Sequence, residues 1–166
     1  MGTGRSSEIT KAVAEVFAPH FLKQPVVVWI SESGKKVAPF DQEFTQALNL
    51  NIDARKVLPD MILMDVGTPF RLVFVEVVAT NGPVTADRKA ALTQIARHAN
   101  YKEDDLVFVT AYHDRGSAPF KSTVSRLAWG TFAWFSNEPH QLLVMDSGEG
   151  NLRLSLDGGK LPDEVQ

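Results

Sequence analysis

Cysteine is absent from all 166 residues. This excludes disulfides, thiolate nucleophiles and cysteine-ligated zinc or iron–sulfur sites, and it suits a reducing, cytoplasmic setting. Histidine is scarce: His20, His98, His113 and His140 are scattered without paired metal-ligand spacing, which argues against a histidine zinc site. Positive charge is not in excess, since the net charge is −3. A basic coat for nonspecific nucleic-acid binding is therefore excluded, although a local basic cleft is not. No apolar run reaches membrane-spanning length; the longest are strand-length and carry charges. The N-terminal stretch MGTGRSSEIT lacks the apolar core of a signal peptide. It matches the loose myristoylation pattern at Gly2 and Ser6, but no polybasic second signal follows, so no membrane partner is expected.

What is present is a 44% apolar chain with room for one proper core. Residues 8–156 are expected to form a single catalytic domain, residues 1–7 a disordered or vector-derived N-terminus, and residues 157–166 a flexible tail. EITKAVAEVFAPHFL (8–22) reads as an amphipathic helix burying Ile9, Val13, Val16 and Phe17. PVVVWI (25–30) reads as a buried strand, and FDQEFTQALNL (40–50) as a short helix. MILMD (61–65) and RLVFVEVV (71–78) have hairpin spacing around VGTPF. A helix capped by Thr85 runs to about residue 99 with the stripe Leu92, Ile95, Ala96 and Ala99, and LVFVTA (106–111) follows as a strand. A short helix near 119–128 and two strands, TFAWF and QLLVMD, complete the order. Together these imply an α/β sandwich whose central mixed sheet is flanked by helices.

Two acids stand in apolar surroundings: Asp60 before MILMD, and Glu76 inside LVFVEVV. An isolated ionised carboxylate there costs several kcal/mol unless compensated. If the hairpin is symmetric about Thr68, residues whose numbers add to 136 face each other, and Asp60 and Glu76 satisfy that rule. Directly opposed side chains share a face with Cβ atoms roughly 5 Å apart, where two carboxylates repel. Three outcomes are open: a different register, a shared proton or a bridging cation. The structural alternative is that Arg71 or Arg88 neutralises Glu76 while Asp60 caps the turn after Pro59.

Strands 71–78 and 106–111, joined through the helix, are expected to run parallel, with their carboxyl ends on one edge beneath the helix N-terminus. Such edges bind ligands in α/β sheets, and helix N-termini favour phosphate. Asp60, Glu76, the NGP turn, Arg88, Lys89 and TAYHDR collect there. Two carboxylates beside a cation and an anion-friendly helix start suit Mg²⁺-assisted phosphodiester hydrolysis.

Pro59-Asp60 followed by Glu76-Val77-Val78 in the next strand is similar to the PD-(D/E)XK nuclease pattern. The longer strings LPDMIL, LVFVEVVATNGPVTADRK, LVFVTAYHDR and LAWGTFAWFSNEPHQLLV resemble the core domain of the BsuBI/PstI family of type II restriction endonucleases, from about the first helix to the strand near residue 145. The resemblance implies the restriction-endonuclease-like sandwich fold and a Mg²⁺-dependent enzyme cutting double-stranded DNA at a specific palindromic site as a homodimer. It implies Asp60 and Glu76 as metal ligands, with the Val77 backbone carbonyl as a third. It also implies an additional N-terminal DNA-binding domain, expected to be missing here because the sequence opens almost directly on the nuclease core, as a fragment or a minimal relative would. The general pattern has lysine where this chain has Val78, so that lysine's role falls to Arg88 or Lys89. Lys89 is the better proton carrier, because arginine stays protonated, whereas Arg88 is better aimed.

Lys35 and Lys36 read as a solvated turn or as phosphate contacts, Asn81 as a turn residue or a reader of a base edge. His113 and Arg115 follow a strand ending at the active edge and are candidates for DNA contact, with His113 also a possible auxiliary base. Trp129, Phe132, Trp134 and Phe135 are expected in the core rather than as a stacking platform. The competing functional readings are a nuclease-fold DNA-binding or assembly module without chemistry, which Val78 motivates, and a plain interaction domain, which the net acidity motivates.

Overall fold

A computed structural model describes residues 4–31, 58–79 and 82–149. The expected helix at 40–50 and the residues Lys35, Lys36 and Asn81 lie outside that set. A six-stranded sheet forms the centre, with strands in sequence order. They are β1 (Pro25–Ile30), β2 (Met61–Asp65), β3 (Arg71–Val77), β4 (Leu106–Tyr112), β5 (Thr131–Phe135) and β6 (Leu142–Met145). The β1–β2, β2–β3 and β5–β6 pairs are antiparallel, whereas β3–β4 and β4–β5 are parallel. The sheet is therefore mixed, as expected. In the hairpin Asp65 pairs with Arg71 and Met61 with Val75, so the symmetric register holds through every paired position.

The first helical arm starts at Arg5, ahead of the expected Glu8. It runs as α1 (Arg5–Ala12), a π-helical turn (Val13–Phe17) and α2 (Ala18–Phe21). Pro19 has no N–H for the helical ladder, which fits the widened turn before it. The wide turn keeps Ile9, Val13 and Phe17 inward on a four-residue spacing. It also corrects one expectation: Val16 rotates outward and is exposed. This arm covers one sheet face through Met61, Leu63, Val73, Val75, Val109 and Trp134.

The opposite face is covered by α3 (Ala86–His98), whose Leu92 and Ala96 pack on Ile62, Leu72, Phe74 and Phe108. Further along, α4 (Ala118–Thr123) and a 3₁₀ turn (Val124–Arg126) cover Tyr112, Ala133 and Phe135. Helices on both faces give the α/β sandwich. Two features aim the chain at the carboxyl end of β3. A register shift between Val27 and Trp29 in β1 puts consecutive Val28 and Trp29 into the same cluster, and the Trp29 indole donates to the Pro59 carbonyl at 3.0 Å. A bulge commonly re-aims a side chain in this way. Among the described residues, no helix is long and apolar enough to cross a membrane.

The expected core role of Trp129 is overturned. Trp134 and Phe135 are buried and Phe132 half-buried, but Trp129 is 65% exposed. It lies in the turn before β5 rather than within the strand, so the strand's alternation does not reach it.

Candidate active site

Asp60 closes the chain's approach to β2. Its carbonyl accepts from Ser31 at 2.8 Å, extending the β1–β2 ladder by one step. Its carboxylate turns the other way, and Oδ2 accepts from the Val77 amide at 2.8 Å. A side chain thus takes the place of the next strand rung. Because a strand residue sends its N–H and C=O to the same side, the Val77 carbonyl also faces Asp60. On the far side of β3, the Val78 amide donates to the Ala111 carbonyl.

Glu76 shares the face of Phe74 and Leu72, beneath α3, and is 5% exposed. Its pKa is pushed up to about 7, first by burial and then by the Asp60 carboxylate, which lies within hydrogen-bonding reach. The Arg88 guanidinium opposes both effects: Nε donates to Glu76 Oε1 at 2.6 Å, and a second nitrogen donates to the Leu58 carbonyl at 2.8 Å. A cation in the first turn of a helix is disfavoured by the backbone dipole, so Arg88 depends on these partners to be there. Thr85 caps α3, its hydroxyl accepting from the Arg88 amide at 3.2 Å. The turn before the cap is fixed to the sheet by the fully buried Thr110, whose hydroxyl accepts from the Val84 amide at 3.1 Å.

The opposed carboxylates, the shared face and the arginine are all where the hairpin arithmetic and helical phase put them. Lys89 goes elsewhere: its ammonium donates to the Trp129 carbonyl at 3.0 Å and lies 5.8 Å above the Phe108 ring. Arg115 is held bidentately by Glu138 at 2.7 and 2.9 Å, and His113 Nδ1 bonds Ser136 Oγ at 2.9 Å. The side chain at Val78 is buried with Tyr112, Leu127, Ala133 and Phe135, so no charged group occupies that position. Sequence reasoning brings Thr110 to this edge within TAYHDR but gives it no role of its own, and it misses the Leu58 carbonyl. Thr110 carried a usable signal, being the one polar residue of LVFVTAY and level with Glu76 in the parallel register.

Among the described residues no group of three or more histidine, aspartate or glutamate side chains surrounds a common point. Two carboxylates do meet, with the Val77 carbonyl directed to the same side by strand geometry, and all are hard oxygens. Asp60 and Glu76 outnumber the single cation Arg88, and burial first and the Asp60 charge second raise the Glu76 pKa. Such a set fits a hard divalent ion that keeps several of its waters.

Known proteins carry the same frame. The type II restriction enzyme BsuBI of Bacillus subtilis is 27% identical over 140 residues, spanning 84% of this chain and 42% of that enzyme. The solved structure of SdaI restriction endonuclease superposes with a TM-score of 0.74 at 25% identity, over 90% of this chain and 45% of that one. The chain thus spans less than half the length of the relatives it matches. The fold is that of a restriction endonuclease, and the BsuBI/PstI restriction endonuclease domain profile matches residues 1–148. By that match the chain belongs to the BsuBI/PstI restriction endonuclease domain family.

Proposed function

We propose that this chain is the catalytic core of a type II restriction endonuclease, hydrolysing phosphodiester bonds of double-stranded DNA at a specific palindromic site with Mg²⁺. The observation that carries the reading is Glu76: buried, hydrogen-bonded to Asp60, paired with Arg88, and seated at the carboxyl end of β3 under the start of α3. Membership of the family supports the class of reaction.

Asp60, Glu76 and the Val77 carbonyl would hold the ion. Mg²⁺ bound there supplies a Lewis acid for the phosphate and lowers the pKa of a bound water. The chain's own groups set up that step. The Val77 amide orients the Asp60 carboxylate, and Arg88 holds Glu76 in place from the helix side. Arginine keeps its charge at every relevant pH, so Arg88 serves as a stabiliser of phosphate charge and not as a base. Lys89, turned to Trp129, is assigned to DNA backbone contact rather than proton transfer. A homodimer would present two such sites to the two strands. DNA contacts at His113 and Arg115 are proposed only at their backbone-near positions, since Arg115 must first exchange Glu138 for a phosphate.

The test is digestion of mixed-sequence DNA with Mg²⁺. Discrete fragments that disappear with EDTA are expected; a smear would remove the sequence-specific part. The apolar burial of Val78 favours one second reading, a DNA-binding module without chemistry. Tight duplex binding with no cleavage and no Mg²⁺ or Mn²⁺ response would replace the first reading with it.

A further inference from the structure

Trp129 is the most exposed large apolar side chain among the described residues, at 65%. Its backbone is nonetheless pinned on every side. The Ala128 amide donates to the Val84 carbonyl at 2.9 Å, and Thr131 Oγ1 donates to the Ala128 carbonyl. The Gly130 amide donates to the Met145 carbonyl, and Lys89 Nζ to the Trp129 carbonyl itself. Gly130 has a φ of +78°, a left-handed conformation that favours glycine, and a Cβ there would stand 2.8 Å from Lys89 Nζ and push the ammonium aside. Leu127 and Ala128 are buried immediately before it. A rigid frame therefore holds one bare indole out to solvent.

The frame is built on the active edge. Val84 immediately precedes Thr85, the cap of the helix whose first turn carries Arg88 and Lys89. Arg88 turns to the carboxylates, and Lys89 turns to the indole's backbone. A lysine ammonium has three N–H donors, and the Trp129 carbonyl takes one, leaving donors for a phosphate. Arg126 adds a second exposed cation three residues before the tryptophan. Asp146, which follows the β6 end bonded to Gly130, turns its Oδ1 back to the Gly148 amide instead.

We propose that Trp129 and Lys89 form a DNA-contacting element flanking the cleavage site. Lys89 takes a backbone phosphate beside the scissile one, and the indole lies against the neighbouring sugar and base. A flat aromatic face beside a cation matches one nucleotide of a strand, and a pre-ordered frame spares the entropy of fixing it. The inference rests on the nuclease reading, because it needs DNA at the carboxylate site.

Trp29 and Trp134 are buried, so a small neutral quencher such as acrylamide reports on Trp129. Its neutrality removes phosphate repulsion as a source of apparent protection. The full chain is titrated with a short mixed-sequence duplex in EDTA at low salt, with binding followed separately by polarisation of a labelled duplex. Expected is a fall in quenching towards that of the buried indoles as the duplex saturates. Trp129→Ala should weaken duplex binding about tenfold with an unchanged thermal midpoint, and Trp129→Phe should restore most of it. Duplex binding with undiminished quenching overturns this inference and leaves the nuclease reading standing. Protection that appears with protein concentration alone makes the surface an interface between copies and also overturns it. Absence of duplex binding together with absence of cleavage sinks both.

Discussion

The two ends of the β2–β3 hairpin each cover an acid from solvent, Asp65 and Glu76 both being 5% exposed, but Asp65 lies shallow under its own turn and Glu76 deep beneath α3. Their chemistry is opposite. At the closed end, burial works to raise the Asp65 pKa. It is outweighed by three backbone donors, the amides of Lys23, Gln24 and Gly67, together with the Lys23 charge, and the carboxyl is held below its ordinary value. At the open end, burial and the Asp60 charge push Glu76 up to about 7, with Arg88 only partly offsetting them. Solvent exposure alone therefore does not set the direction of the shift; depth of burial, the neighbouring charge and the supply of donors do. Asp65 is satisfied by the fold, whereas Glu76 is left wanting a cation.

That contrast can be broken from either end. The largest effect belongs to the open end, where Asp60→Ala or Glu76→Ala should lower the cleavage rate about a thousandfold or more, since the ion's charge stabilisation is worth several kcal/mol. Cleavage by either variant at near the parent rate would dissolve the comparison. Asp65→Ala should do the reverse. Orphaning its donors should cost about 3 kcal/mol, lowering the thermal midpoint by roughly 6–12 °C, while folded molecules cleave normally.

Without a divalent ion, pH should move the two ends in opposite senses. The folded Glu76 keeps its proton up to about 7, but the unfolded chain gives it up near 4.5. Raising pH through that window should therefore remove stability, by a few kcal/mol at most, and the loss should be absent in Glu76→Gln. Asp65 contributes above its unfolded value of 3.8, and its contribution disappears as pH falls below that value. Chemical denaturation from about pH 2 to pH 8 separates the two, the Asp65 loss falling below 3.8 and the Glu76 loss between 4.5 and about 7. Mg²⁺ binding should sharpen the same point: below pH 7 it must displace the Glu76 proton, so affinity should rise by up to about tenfold per pH unit, with proton release measurable by calorimetry in buffers of different ionisation enthalpy. The smallest effect is Asp60→Asn in EDTA. The amide oxygen still accepts from Val77 while the repulsion is gone, so the midpoint should rise by about 1–3 °C. A fall would show that Asp60 holds the strands together more than it strains them.

The hairpin and the crossover were legible because both are short-range. A five-residue loop with period-2 strands sets which residues oppose, and a capped helix between two apolar strands sets their direction. The phase of Arg88 followed from helical periodicity in the same way. What was not legible lies in contacts between elements distant in sequence. The Trp29 indole on Pro59, Thr110 on Val84 and the second Arg88 bond to Leu58 depend on how loops lean over strand ends. Periodicity assigns a strand residue to a face, but it says nothing of a turn residue such as Trp129, so a pattern read across the turn wrongly assigns it to the core. Lys89 differs from Arg88 by one helical step, enough to send its ammonium to the turn before β5 instead of to Glu76.

The rung that Asp60 makes with Val77 has a consequence for the opposite end of the hairpin. Surface loops ordinarily tolerate changes of length, and residues 66–70, with Val66, Thr68 and Pro69 exposed, look like a place to insert freely. With the five-residue turn kept, adding one residue there would set Asp60 against Val75, on the other face from Glu76, and adding two would set it against Phe74. This remote, chemically silent loop therefore acts as a length gauge for the carboxylate pair. Among sequence variants selected only for cleavage, it should accept exchanges of residue type and refuse changes in their number.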